Sequence, residues 1–206
     1  MEFNYNYKHI ILCDTLTGKT SYFNKLLYNK YISDKITTIG VDFGVQFLNI
    51  NGKIIKNHFW DTAGQEKYKS IIRSYYRGIM GCIIMFDLTN LESFHNINKW
   101  LNELKYYGKY ENLSIIVLGN KSDLKENIKV NLDLILDYCN NENLDYFEIS
   151  VKDNINIKES FEHLVKLISQ KENHFELSES NSDKKLTFEI IEYKKKPKKC
   201  MDCVIS

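Results

Sequence analysis

Residues 13–20 read Cys13-Asp14-Thr15-Leu16-Thr17-Gly18-Lys19-Thr20; they end an apolar run, His9–Cys13, and open a helical pattern from about Lys19 to Asn29. Glycine, four residues, then Gly-Lys-Ser/Thr is the signature of a phosphate-binding turn between a strand and a helix. Gly18, Lys19 and Thr20 satisfy it, whereas Cys13 stands at the first glycine position and Leu16 is bulky for a loop that wraps phosphate. In such a turn the N–H groups of the loop and helix start face the phosphates. Lys19 would reach the β- and γ-phosphate oxygens, and the Thr20 hydroxyl would bind Mg²⁺. Gly-Lys-Thr alone also fits an ordinary helix start, so segments further along must decide.

Outward from this turn, short β-branched runs alternate with helical patterns. Phe43–Ile50 and Lys53–Trp60 read as strands joined at Asn51-Gly52, a strong hairpin signal. Gly81–Asp87 and Ser114–Gly119 are compact apolar runs of the kind covered on both faces, and Tyr146–Ile149 reads as the last strand. Glu92–Tyr107, Leu132–Asn140 and Ile155–Ser169 have helical spacing. The pattern predicts an α/β fold: a mostly parallel six-stranded sheet with one antiparallel edge strand, flanked by about five helices. Residues 1–170 are expected to form one domain, and 171–206, where periodicity fades, a mobile tail.

Three further segments follow predicted strands. In Asp61-Thr62-Ala63-Gly64-Gln65, the acid can hold Mg²⁺ through water, Gly64 lets the backbone approach a γ-phosphate, and Gln65 can orient an attacking water. In Asn120-Lys121-Ser122-Asp123, the Asp123 carboxylate can accept from both N1–H and the 2-amino group of guanine, a donor pair that adenine lacks. Asn120 would tie loops together, and the Lys121 stem would cover the base. In Ser150-Val151-Lys152, a backbone N–H could meet guanine O6. Each segment alone could be a solvated turn, but all four at strand C-termini converge on one crevice. An ATP-using kinase is disfavoured by Asp123.

These motifs resemble the Ras-like small GTPases, and within them the Rab family, over about residues 8–170. The resemblance rests on Gly18-Lys19-Thr20, Thr37-Thr38-Ile39-Gly40-Val41-Asp42-Phe43, Trp60–Glu66, Tyr75-Tyr76-Arg77-Gly78, Asn120–Asp123 and Ser150–Lys152. It implies nucleotide contacts from Thr15, Leu16, Thr17, Gly18, Lys19, Thr20, Ser21, Tyr31, Thr38, Gly64, Asn120, Lys121, Asp123, Ser150, Val151 and Lys152. It implies Mg²⁺ ligation by Thr20, Thr38 and Asp61, and GTP hydrolysis to GDP assisted by Gln65, slow without an activating protein. Ile39, Phe43, Trp60 and Tyr75 fall at the family's effector surface. The implied partners are an exchange factor, an activating protein, effectors, the prenylation machinery and a GDP-dissociation inhibitor, acting on a monomer in vesicle traffic. Trp100-Leu101-Asn102-Glu103-Leu104 is similar to the Rab subgroup tied to endoplasmic reticulum and lipid droplets. The alternative kept open is a GTP-bound scaffold that barely hydrolyses because Cys13 and Leu16 distort the loop.

The tail carries a second message. The chain of 206 residues has 28 Lys+Arg against 27 Asp+Glu, a net charge of +1. Residues 184–199 hold seven Lys and two Glu, or +5, against −3 for residues 1–183. A basic tail beside terminal cysteines suits an anionic membrane surface better than nucleic acid, which would call for a basic folded face. Cys203-Val204-Ile205-Ser206 is a CaaX box whose serine favours farnesyl over geranylgeranyl, and Cys200 is a second candidate lipid site. One lipid chain anchors only marginally, and Lys194–Lys199 supplies the second signal. No apolar run approaches the roughly 18 residues of a membrane span. The opening Met1-Glu2-Phe3 lacks secretory character, and Glu2 stands where N-myristoylation requires a glycine. The expected location is the cytoplasmic face of an internal membrane (endoplasmic reticulum, Golgi or endosomal vesicle), with a cytosolic pool.

Overall fold

The first strand, β1 (Tyr5–Cys13), is the axis of a parallel sheet, pairing with β3 (Lys53–Thr62) on one side and β4 (Gly81–Asp87) on the other. The computed structural model describes residues 2–31, 41–50, 52–62, 76–107, 110–172 and 188–191. Beyond β4 lie β5 (Ser114–Asn120) and β6 (Asp145–Glu148), both parallel; beyond β3 lies β2 (Val41–Ile50), antiparallel. This is the expected six-stranded sheet with its one antiparallel hairpin. Ile50 pairs with Lys53 across Asn51-Gly52, and Gly52 has φ 80, a left-handed backbone that glycine adopts without a Cβ clash.

The tail departs from expectation. A seventh strand, β7 (Phe188–Ile191), pairs antiparallel with β2, giving the order β6-β5-β4-β1-β3-β2-β7. The hairpin strand β2 is therefore not the outermost, and four residues of the segment expected to be mobile hold a place in the sheet.

Five α-helices appear among the described residues: α1 (Lys19–Tyr28), α2 (Leu91–His95), α3 (Ile97–Tyr107), α4 (Leu132–Glu142) and α5 (Ile157–Lys171). The single helix expected over Glu92–Tyr107 is two, because the chain turns at Asn96. The heavy use of asparagine has a structural outlet at helix ends. Asn90 and Asn131 accept from backbone N–H groups of the first turns, while Asn29 and Asn143 close α1 and α4 in left-handed conformations.

Two cores sandwich the sheet. Tyr22, Phe23, Phe161, Leu164 and Ile168 of α1 and α5 pack on one face with Ile11, Cys13 and Ile83. Phe94, Leu101, Leu104 and Ile135 of α2, α3 and α4 pack on the other with Ile10, Ile84 and Phe86. All seven residues of β4 and of β5 are buried, as their unbroken apolar runs predict. The polar half of β1 is less obvious in the sequence. It belongs to the sheet because Tyr7 and His9 alternate inward, and His9 Nε2 donates to Asn57 Oδ1 at 2.8 Å. Burial keeps that ring neutral, its pKa pushed down to about 4.

Candidate nucleotide-binding site

Because β1, β3, β4, β5 and β6 run parallel, their C-terminal ends share one edge of the sheet. Four of the loops leaving that edge carry the predicted motifs, the arrangement in which open α/β sheets bind ligands.

Asn120, the last residue of β5, joins three of those loops. Its Nδ2 donates to the carbonyl of Thr17 at 2.7 Å, and its Oδ1 accepts from the Val151 N–H at 3.3 Å. It is 3% exposed, so each bond is made away from water, where an unmade one is costly. Asn120 thus ties these loops together. Gly18 lies beneath it with φ 100, and a Cβ there would come within 2.5 Å of Asn120 Nδ2. Gly18 is therefore required both for its left-handed backbone and for this close approach.

The loop over residues 13–18 is fixed near its start by side chains, one of its own and two from the α2–α3 segment. Thr17 Oγ1 donates to the Asp14 carbonyl at 2.9 Å, while the Asp14 carboxylate accepts from Asn96 Nδ2 at 2.7 Å and Trp100 Nε1 at 3.1 Å. Cys13 does not intrude: its side chain is buried in the α1/α5 core. Leu16 is the anomaly. It adopts φ 65, unfavourable for a branched side chain, and is 69% exposed. Lys19 is buried in the first turn of α1, beside Thr20 and Ser21, and Thr15 is exposed.

Across the crevice, Ser150 Oγ donates to Asp123 Oδ1 at 2.8 Å, and Lys152 Nζ stands 3.8 Å from Oδ2. Ser150 Oγ also accepts from the Asp153 N–H, so the hydroxyl fixes the carboxylate and its own turn together. Lys121, at φ 71, lays its ammonium 2.6 Å from Asp87 Oδ2. Asp87 is 8% exposed, and its Oδ1 accepts from both the N–H and the hydroxyl of Thr89. Asp87 escaped the sequence reading. Its signal was positional: an acid ending a fully apolar strand, paired in register with Asn120.

Of the remaining predicted residues, Tyr31 is exposed after α1, and Asp61 lies on β3 one residue past Trp60, which pairs with Ile10 of β1. Thr38, Ile39, Gly64, Gln65, Tyr75, Cys200 and Cys203 lie outside the described residues. Phe43 and Trp60 do meet, with ring centroids 4.9 Å apart and Phe43 44% exposed. His58 joins them 5.4 Å from Phe43, and Lys8 Nζ lies 5.3 Å over the Trp60 ring. Burial first, then Lys56 and Lys8, lower the His58 pKa. His58 and Lys8 were also missed; period-2 alternation with Trp60 and Lys56 puts His58 on that face. In the helix segment Trp100–Leu104, Trp100 braces Asp14, Leu101 and Leu104 are core, and Glu103 accepts from the Tyr76 hydroxyl. Those structural tasks account for four of its five residues.

The donor set fits a nucleotide: a glycine-bounded cradle, a buried lysine at a helix N-terminus and a fixed carboxylate on a neighbouring loop. Comparisons with known proteins agree. The Ras family model matches residues 8–170. The chain is 38% identical over 169 residues to Ras-related protein Rab-3 of Caenorhabditis elegans, covering 82% of this chain and 77% of that one. The same identity, over 82% of this chain and 76% of the relative, holds for human Ras-related protein Rab-3A. GTP-binding protein YPTM1 of Zea mays is 38% identical over 160 residues, 78% of this chain and 76% of its own. The chain belongs to the Ras family of small GTPases, within its Rab branch.

Proposed function

We propose that this chain is a GTP/GDP switch of vesicle traffic that hydrolyses GTP and works from the cytoplasmic leaflet of an internal membrane. The observation that carries the reading is the Asn120 brace: one buried side chain ties the phosphate loop to both loops that would hold the base. With those loops fixed, the Asp123 carboxylate meets N1–H and the 2-amino group of guanine, and the Val151 region meets O6. Lys121, pinned by Asp87, lays its stem along the base. Lys19 neutralises β- and γ-phosphate oxygens, aided by N–H groups of the loop, Thr15 to Ser21 among them. Thr20, Thr38 and Asp61 would hold Mg²⁺, which when bound draws charge from the β- and γ-phosphates. Gln65 orients the water, and Gly64 and Thr38 contact the γ-phosphate only in the GTP state, so its loss releases both segments.

Phe43 and Trp60, with His58 and Lys8 beside them, are the described part of the effector face, to which Ile39 and Tyr75 also belong in this reading. The regulators are those of the family: exchange factor, activating protein and GDP-dissociation inhibitor. Cys203, with Cys200 as a second site, takes the prenyl group, and a folded domain of residues 1–170, with Phe188–Ile191 added at its sheet edge, is joined to the membrane by the rest of the tail. Cys203→Ser should move the protein from membranes to cytosol in a fractionation; unchanged membrane association would refute the anchor.

One observation favours the slow-hydrolysis alternative, namely the left-handed, exposed Leu16 in the phosphate loop. Single-turnover hydrolysis decides. A switch converts bound GTP to GDP at on the order of 10⁻⁴ s⁻¹ unaided, and Gln65→Leu slows it. A scaffold shows no conversion in wild type and no effect of Gln65→Leu.

A further inference from the structure

The outer edge of β2 is covered over Phe47–Ile50 by this chain's own tail. β2 pairs with β3 along all ten of its residues, Val41 to Ile50. On its other side β7 opposes Ile50 with Phe188, Asn49 with Glu189, Leu48 with Ile190 and Phe47 with Ile191. An uncovered edge of that length presents a row of unpaired N–H and C=O groups, which proteins cover, twist away or charge. The covering segment is marked in the sequence. Between Lys184-Lys185 and Lys194–Lys196, the run Leu186-Thr187-Phe188-Glu189-Ile190-Ile191-Glu192-Tyr193 concentrates β-branched and aromatic residues in a stretch otherwise dominated by Glu, Ser, Asn, Asp and Lys. Such residues favour strands, and flanking charges are how sequences confine them.

We propose that Phe188–Ile191 is a strand donated in cis, a plug that closes the β2 edge and moves the root of the tail from the end of α5 to the side of the sheet. The antiparallel direction runs the chain from the Ile50 end of β2 toward Phe43. The consequence is one of reach. From Glu172 to Cys203 is 31 residues, and from Ile191 to Cys203 is twelve. At about 3.4 Å per extended residue, docking cuts the maximum tether from roughly 105 Å to roughly 40 Å. Docked, the tail keeps the β2 side of the domain close to whatever holds Cys203, and the Phe47–Ile50 stretch of its edge is shut. Released, the domain stands off on a long tether and the edge can accept an extended strand from another protein. The plug depends on neither nucleotide nor hydrolysis, so it stands or falls separately from the switch reading.

Hydrogen exchange on the full-length, unlipidated chain tests it, comparing wild type with the double variant Glu189→Pro/Ile190→Pro. Successive strand N–H groups point to opposite sides, so one of the two prolines must remove a donor facing β2. We expect peptides spanning Phe47–Ile50 to exchange roughly tenfold faster in the variant, with Gly81–Asp87 and Ser114–Asn120 unchanged. Equal rates at Phe47–Ile50 would overturn the plug. A synthetic peptide of residues 186–193, added to the variant, should restore protection. Protection in wild type that rises with protein concentration would assign the strand to a second copy and overturn the cis reading. An independent readout is cross-strand trapping in a Cys200→Ser/Cys203→Ser background. Asn49→Cys/Glu189→Cys, directly opposed, should oxidise to a disulfide, whereas Val45→Cys/Glu189→Cys should not. Equal yields from both pairs would contradict the register.

Discussion

The two sides of the proposed nucleotide crevice are built by different means. On the base side, side chains fix one another: Asn120 to Thr17 and Val151, Lys121 to Asp87, and Asp123 to Ser150. On the phosphate side the backbone path, with left-handed Gly18 and Leu16, does more of the work, and the side chains that fix it, Thr17 to the Asp14 carbonyl and Asn96 and Trp100 to the Asp14 carboxylate, act at the start of the loop. A network of side-chain bonds specifies its members, because a truncated partner leaves a buried group unpaired. A loop that works through backbone N–H groups specifies a path, and side chains pointing elsewhere can vary. Cys13, at the position where the motif calls for glycine, turns its side chain into the α1/α5 core.

The largest effect is expected where the sides meet. Asn120→Ala strands the Thr17 carbonyl and the Val151 N–H. At about 1–3 kcal/mol each, guanine-nucleotide affinity should fall at least ~30-fold in equilibrium titration. Next comes Asp123→Asn, which exchanges a two-fold acceptor for a mixed donor and acceptor. Loss of a charged hydrogen bond, about 1.5–3 kcal/mol, predicts a ~10- to 100-fold weaker grip on GDP. Xanthine nucleotides, which carry a carbonyl where guanine has its 2-amino group, should bind the variant better than they bind wild type. Asp87→Asn unpins Lys121 and should accelerate GDP release ~5-fold in a stopped-flow chase, an effect of about 1 kcal/mol.

The smallest effects set the two odd residues of the phosphate loop against each other. Restoring the motif with Cys13→Gly should destabilise by about 1–2 kcal/mol, since it removes a buried side chain and adds backbone freedom to a strand. Leu16→Gly should stabilise by about 1 kcal/mol, raising Tm by roughly 2–4 °C, because it relieves a left-handed leucine. Opposite signs in thermal melts would uphold the view that the loop is specified by its backbone. If both substitutions stabilised, Cys13 would have to be a distortion after all.

Much of this was legible in the sequence. Asn51-Gly52 placed the hairpin, and the unbroken runs at Gly81–Asp87 and Ser114–Gly119 placed the central strands within one residue. The Asn120–Asp123 loop stands out in the sequence because the chemistry proposed for it demands particular side chains at fixed spacing. Asp87 could not, since a single acid at a strand end has no pattern until Lys121 is set beside it in space. His58 and Lys8 join the aromatic face through strand alternation and sheet pairing, which short motifs do not register. The break at Asn96 was hidden because apolar spacing runs on through both helices. β7 was missed because its β-branched and aromatic run, Leu186–Tyr193, is a composition signal inside a polar tail, and only the presence of the β2 edge to pair with makes four of those residues a strand.

The central claim is that the Asn120–Asp123 and Ser150–Lys152 loops make this a site for guanine rather than adenine. Competition against a fluorescent GDP analogue on the full-length protein tests it most directly. Unlabelled GTP and GDP should displace the probe stoichiometrically, while ATP should fail to do so even at ~1,000-fold excess, because Asp123 would be left facing a base without the matching donors. Displacement by ATP at concentrations comparable to GTP would contradict the account.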